Sequence, residues 1–334
     1  MLAGEKVLGY VDGFRNASCV TAACELDVFT RILALGNNVT TENLARDMAC
    51  DERALATLLR MLVSLKLLES ADGEFFSVPE EFREFLDSRS AKTMVPLVCH
   101  WGACMRQWDR IAQTVVSGEP PATLPGVFGP EKDRENFLAA MHVLGKQKAG
   151  PIVELLRTQG LAKFTKMLDL GGAFGTYTKE FLRKCPEGCG VIFDLPQAVA
   201  EAEKRLADDP LRDRITFVAG DFYRDEFPGG MDWLWISAII HQQDDAETEK
   251  MFAKAYRALV SGGKVGIRDV YFEPNRLGPP AATHFAMNMV VNTRRGKVYT
   301  VEEVFSLLTL TGFQNPQLAV RSDDMGSVIV AEKP

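Results

Sequence analysis

Met167-Leu-Asp-Leu-Gly-Gly-Ala-Phe-Gly-Thr176 is the stretch on which the reading of this 334-residue chain turns. An apolar run carrying one acid breaks into glycines at 171, 172 and 175, then resumes as a helical pattern through Tyr177, Phe181 and Leu182. A strand, a tight turn and a helix start in that order are the layout of a nucleotide-binding βα unit. The spacing is not Gly-x-Gly-x-x-Gly, because counting from Gly171 puts Ala173 and Thr176 where glycines are needed. Asp169, just before the turn, suits a ligand bearing an ammonium group better than one presenting a pyrophosphate.

Working outward, Gly190-Val-Ile-Phe-Asp-Leu-Pro196 is a second apolar strand that ends in an acid. Asp194 lies about 25 residues beyond Asp169, at a strand end where a carboxylate can accept hydrogen bonds from ribose hydroxyls. A third strand, Ile215 to Ala219, ends in Gly220-Asp221-Phe222, which offers an acid and an aromatic ring to an adenine. A fourth, Met231 to Ser237, runs into Ile239-Ile240-His241. Any one of these acids is equally well explained as a cap for the helix that follows. Polar residues at four strand ends in series point instead to a ligand lying beyond the carboxyl edge of one open sheet.

The rest of the C-terminal half keeps the alternation of strand and helix that marks a parallel sheet. Gly263 to Asp269 reads as the fifth strand, and Val301 to Thr309 as a helix stopped by Gly312. Phe313 to Val320 and Ser327 to Ala331 are joined by Arg321-Ser-Asp-Asp-Met-Gly326, too short for a helical crossover, so they should pair antiparallel. The expected fold class is α/β, a Rossmann-like sheet ending in an antiparallel hairpin.

Taken together, Leu168-Asp-Leu-Gly-Gly-Ala-Phe-Gly175, Phe193-Asp-Leu-Pro196, Gly220-Asp221-Phe222, His241 and Gly262-Gly-Lys264 resemble the S-adenosylmethionine-dependent O-methyltransferases of the caffeate and hydroxyindole type. The resemblance covers nearly the whole chain. It implies a class I methyltransferase sheet preceded by a winged-helix dimerisation domain, and S-adenosylmethionine as cofactor. The donor site would hold Asp169, Gly171, Gly172, Gly175, Asp194, Leu195, Gly220, Asp221, Phe222 and Ser237. His241 would be the general base and Asp269 the carboxylate that orients it. Trp101, Met105, Met141 and His142, with His284, Met287 and Asn288, would line the acceptor pocket, and no metal is implied.

Two departures from the family pattern stand out. The histidine usually continues as His-Asp-Trp, whereas this chain reads His241-Gln242-Gln243-Asp244. A second acid, in a Gly-x-Glu-Arg-Thr run, is replaced by Val298 in Gly296-Lys-Val-Tyr-Thr300. One of the two carboxylates expected beside the base is therefore missing. Carbon or nitrogen methylation on the same fold stays open at this point.

The N-terminal third is helical with a small hairpin. Thr40 and Asp51 each precede a helical pattern as a cap, and Asp72-Gly73 separates two short extended runs. Winged-helix modules often bind DNA. Residues 1–90, however, hold nine Lys/Arg against fifteen Asp/Glu, so six of the seven net negative charges of the chain fall there. The would-be recognition helix is apolar around most of its circumference, as a buried helix is. A dimer interface fits better than a nucleic-acid surface, although a metabolite-sensing regulator remains the reading from another class. Residues 91–150 read as connecting helices, with Trp101, Met105 and Trp108 at helical spacing, and Pro151 as the start of the helix that opens a catalytic domain over 151–334.

No apolar run approaches the ~20 residues of a membrane span, and the N-terminus lacks a basic region followed by an apolar core. Seven cysteines, an odd number in a large chain, suggest free thiols and a cytoplasmic setting. Cys185 and Cys189 flank a turn, but without a matching second pair they read as ordinary thiols rather than a zinc clip.

Overall fold

The computed structural model describes residues 3–334. It divides into two compact units, one holding the chain up to Asp109 with Thr123–Val143, the other Arg110–Ala122 with Leu144–Pro334.

The first unit runs α1 (Ala3–Glu25), α2 (Val28–Ala34), β1 (Val39–Thr40), α3 (Thr41–Met48), α4 (Glu52–Ser64), β2 (Phe75–Phe76), α5 (Glu80–Leu86) and α6 (Val95–Trp108). Both expected caps form. Thr40 accepts a hydrogen bond from the Asn43 N–H, and Asp51 from the Ala54 N–H. Helix α4 then turns Leu55, Leu59 and Leu62 onto one buried stripe against Phe29, Ile32 and Leu44. The hairpin is shorter than its sequence suggests. Glu69 and Ser77 exchange both backbone hydrogen bonds, but β2 itself pairs with β1, Val39 facing Phe76.

Helix α7 (Ile111–Ser117) is followed by α8 (Gly129–Thr158), which corrects the expected boundary. Pro151 does not open a helix; it sits inside α8. Ala149, Ile152, Val153 and Leu156 are all buried in one cluster, so a single apolar face runs through the proline and holds the helix together across it. The division between the units falls within α8, at Val143 and Leu144, several residues before the proline.

The second unit carries the sheet. Its elements are β3 (Lys166–Leu170), α9 (Thr176–Lys184), β4 (Cys189–Asp194), α10 (Pro196–Arg205), β5 (Ile215–Ala219), β6 (Met231–Ser237), α11 (Asp245–Ala258), β7 (Leu259–Asp269), α12 (Pro280–Asn292), α13 (Val301–Leu310), β8 (Gln314–Val320) and β9 (Ser327–Glu332). The strand order is β5-β4-β3-β6-β7-β9-β8, parallel throughout except at β9, which runs antiparallel to both neighbours. The two last strands do pair as a hairpin, but β9 inserts beside β7 and leaves β8 at the edge.

Because side chains alternate along each strand, the sheet is apolar on both faces. Leu168, Leu170, Leu234 and Ile236 face Phe252 of α11 and Val304 of α13. Met167, Trp233 and Trp235 face Tyr177 and Phe181 of α9 and the end of α8. Strand order reverses between β3 and β6, and ligands of open α/β sheets bind at that crevice.

Candidate active site

The glycine turn sits at this crevice. Gly171 and Gly175 both adopt the left-handed region, at φ of 63° and 67°, and Gly175 is the N-cap of α9. A Cβ on Gly171 would fall 2.8 Å from Ile239 Cδ1, and one on Gly175 2.9 Å from Ile192 Cδ1. The left-handed backbone and the close packing of Ile239 and Ile192 both favour glycine at these two positions. Gly172 lies against the Asp169 side chain.

Asp169 is buried, and its Oδ2 accepts from the Thr178 N–H at 3.2 Å and the Thr178 hydroxyl at 2.6 Å. It thus supplies, from β3, part of the cap that α9 lacks at its own N-terminus. Burial raises its pKa to about 7, against the smaller opposing effect of the Thr178 hydrogen bonds. Asp194 behaves differently. Its Oδ2 accepts from the Ala173 N–H at 2.9 Å and its Oδ1 from the Leu195 N–H at 2.7 Å, which ties the end of β4 to the glycine turn. No side chain caps α10, so Asp194 does not serve as a cap. Burial raises its pKa too.

Further along the edge, Gly220 donates to the Asp194 carbonyl, and Asp221 Oδ1 accepts from the Tyr223 N–H. Phe222 is half-buried against the core with its ring 4.7 Å from that of Tyr223. Leu195 is exposed beside Asp194.

On the other side of the switch point, a short 3-10 turn, Ile240–Gln242, carries His241 inward until it is buried. Its Nδ1 lies 2.9 Å from both carboxylate oxygens of buried Asp269, at the end of β7. Asp269 also accepts from the Val270 N–H. A carboxylate only accepts, so it makes Nδ1 the donor and leaves the lone pair on Nε2. The Phe285 ring packs edge-on to the imidazole, 4.6 Å away. A carboxylate, a fixed tautomer and a free basic nitrogen make an oriented acid–base pair.

Comparison with known proteins places this arrangement. Residues 111–314 match the model of the O-methyltransferase domain, and residues 8–81 that of the O-methyltransferase dimerisation domain. The chain belongs to the O-methyltransferase family. It is 28% identical to acetylserotonin O-methyltransferase of Gallus gallus over 330 residues, 93% of this chain and 92% of that one. It is also 28% identical to 3-hydroxy-5-methyl-1-naphthoate 3-O-methyltransferase of Streptomyces sahachiroi, over 87% of this chain and 84% of that one. Human N-acetylserotonin methyltransferase, solved in complex with S-adenosylmethionine, superposes with a TM-score of 0.84 at 24% identity, covering 100% of this chain and 98% of that one. That likeness establishes the α/β fold.

Within this O-methyltransferase, the place of the missing acid is apolar. Val298 is buried with Val270 and Ala282, and Phe285 packs against the group. The unusual Gln242-Gln243 run is held by a buried network. The Tyr299 hydroxyl donates to the Gln243 carbonyl at 3.1 Å and lies 2.9 Å from the Thr248 hydroxyl.

The expected acceptor residues fall in both units. Trp101 is exposed and Met105 half-buried on α6, while Met141 and His142 are half-buried on α8. His284, Met287 and Asn288 lie on α12, His284 exposed and the other two half-buried. The structure does not bring His284 to His241; its neighbour Phe285 takes that contact. Three residues escaped the sequence reading. Thr178, whose hydroxyl holds Asp169, has a signal only in its place three residues beyond Gly175. Phe285 has none. Arg268 has a plain one, a cation inside an apolar strand beside Asp269.

Proposed function

We propose that this protein transfers a methyl group from S-adenosylmethionine to a hydroxyl of a small aromatic metabolite, with His241 as general base and Asp269 as its positioning residue. The observation that carries the assignment is the buried His241–Asp269 pair, set across the switch point from an open glycine turn in a member of the O-methyltransferase family. Acetylserotonin and a hydroxynaphthoate, the acceptors in the names of two relatives, both present a hydroxyl on a fused aromatic ring.

The residues at the turn fit the cofactor. Gly171 and Gly175 keep the left-handed turn free of side chains, Asp194 would bind the ribose, and Asp221 and Phe222 stand at the next strand end. Asp169 would offer its carboxylate to the ammonium group. When bound, the cofactor supplies a methyl group already activated on a sulfonium, so the chain must chiefly align the acceptor and take its proton. His241 would receive that proton at Nε2 while Asp269 stabilises the imidazolium through Nδ1.

The assembly is read as a homodimer through a winged-helix-like N-terminal unit. Leu8, Tyr10, Val11 and Phe14 are all exposed on α1, an apolar surface within the segment matched by the dimerisation model. Among the described residues, no helix is long and apolar enough to cross a membrane. We propose a cytoplasmic setting, with which seven free cysteines are in keeping.

Calorimetric titration with S-adenosylhomocysteine, followed by turnover of phenolic acceptors by His241→Ala, tests the assignment. Binding should persist in the variant while kcat falls ~10²–10⁴-fold. A His241→Ala enzyme that turns over at the wild-type rate would remove the base from the mechanism.

A further inference from the structure

Arg268 is 5% exposed at the end of β7, yet among the described residues no acid pairs with it directly, and Asp324 acts on it only from beyond ion-pair distance. Its Nη1 donates to the Ser237 hydroxyl at 3.0 Å, and its guanidinium lies over the Tyr177 ring, 5.3 Å from the centroid. Its Nε is buried without a hydrogen-bond partner. The acids around it are engaged elsewhere. Asp269 bonds to His241, and Asp324 bonds to Lys148 at 2.6 Å and to Ser322 Oγ at 2.7 Å. Among the described residues, none forms an ion pair with Arg268. A buried cation without a directly paired acid is costly, and an anionic ligand at this point would offset that cost.

The surroundings say what kind of ligand. The Trp235 indole N–H is also buried without a hydrogen-bond partner, its ring 5.2 Å from that of Tyr177, whose hydroxyl is turned toward Ser237. Arg268 Nε and the indole N–H both offer protons that no group takes up, so the cluster calls for an acceptor. Tyr177 belongs to the first turn of α9, which Asp169 caps only in part, through the Thr178 N–H and hydroxyl. Helix dipole, guanidinium and donors therefore favour an anion at one point.

Topology says which anion. Alternation puts Arg268 and Asp269 on opposite faces of β7, so the cation stands on the α9 side of the sheet and His241 on the other. Read along the carboxyl edge, β5 offers Asp221 and Phe222, β4 offers Asp194, β3 leads into the glycine turn, and β6 offers Ser237 with Arg268 behind it. That order matches adenine, ribose, sulfonium and amino-acid tail.

Building on the cofactor reading above, we propose that Arg268, held over Tyr177 and against Ser237, is the counter-ion for the carboxylate of the cofactor's amino-acid tail. Asp169 would then take the ammonium group and Arg268 the carboxylate, so both charges of the tail find an opposite charge.

The test compares S-adenosylhomocysteine with its decarboxylated analogue by calorimetric titration of the full chain. Wild type should bind the complete molecule at least ~10-fold more tightly, and Arg268→Met should lose ~10–100-fold for it, the range of a charge-assisted hydrogen bond. The variant's affinity for the decarboxylated analogue should stay within about threefold of wild type. Equal wild-type affinity for the two ligands overturns the proposal without any variant and leaves the cofactor reading standing. So does a parallel loss of both ligands in Arg268→Met, which would make the arginine structural. Failure of wild type to bind either ligand would sink the cofactor reading itself.

Discussion

Asp269→Asn changes one atom and keeps the shape of the side chain, which makes it a sharp probe of what the carboxylate does. In the native protein both oxygens of Asp269 stand 2.9 Å from His241 Nδ1, and the pair is almost fully buried. When Nε2 takes a proton, a positive imidazolium forms with its charge centre about 4 Å from the carboxylate. At an effective dielectric of about 20, that attraction is worth ~4 kcal/mol, and hydrogen bonds to charged groups are typically worth ~1.5–3 kcal/mol. Asparagine retains an oxygen to accept from Nδ1–H but no charge, so about 2–4 kcal/mol of transition-state stabilisation should disappear. At ~1.4 kcal/mol per decade, kcat should fall about 30- to 1000-fold. Steady-state kinetics with a phenolic acceptor reads this directly, and calorimetry with S-adenosylhomocysteine should show unchanged cofactor affinity. The double variant with His241→Ala should be no slower than His241→Ala alone, since Asp269 acts only through the histidine. An Asp269→Asn enzyme within threefold of wild type, or a double variant markedly slower than either single one, would refute the reasoning.

Three further outcomes are expected. Gly220→Ala would place a methyl 2.3 Å from Phe193 Cζ, so overpacking should lower stability by ~1–3 kcal/mol in a denaturant titration; an unchanged midpoint would mean that the strand end yields freely. Replacing Tyr10 and Leu8 on α1 by Asp should convert the protein from dimer to monomer in light scattering, and an unaltered mass would move the interface off this face. Asp169, with its pKa raised to about 7 by burial, keeps its proton in the folded state after the unfolded chain has lost its own. Its contribution to stability is therefore full below about pH 4 and declines as pH rises toward 7. Relative to Asp169→Asn, the wild type should lose about 1–3 kcal/mol between pH 5 and 7; a pH-independent difference would contradict that.

The sheet could be read from sequence because each strand there is a short apolar run closed by a polar residue, and a strand buried on both faces has that form. Thus Ile215–Ala219 and Met231–Ser237 emerge with the expected ends. The His241–Asp269 pair is also legible, since Asp269 ends one strand and His241 follows the neighbouring strand on the same edge. What could not be read depends on partners distant in sequence. Val39 pairs with Phe76 through two-residue strands too short to show a period. Pro151 misled because its local preference for a helix start is overridden by an apolar face that runs through it. Arg268 carried a signal, a lone cation in an apolar strand, but its meaning lies in the Tyr177 ring and the Trp235 indole N–H brought from other elements.

The absence of a second acid bears on how the proton leaves. A phenol and an imidazole at their ordinary values differ by ~3.5 units, roughly 5 kcal/mol against transfer. Asp269 supplies about 2–4 kcal/mol of that by the estimate above, and Val298, buried with Val270 and Ala282, supplies none. The remaining gap is too large for a stable imidazolium–phenoxide pair to form ahead of the reaction, yet small enough to close while the oxygen gains its bond to the methyl group. Proton and methyl transfer should therefore advance together, with His241 accepting charge as the oxygen sheds it. In the proposed mechanism Asp269 is then the carboxylate, among the described residues, on which His241 would depend. Were the proton lost in a separate earlier step, the Asp269→Asn enzyme would recover its rate at high pH; concerted transfer leaves the deficit in place.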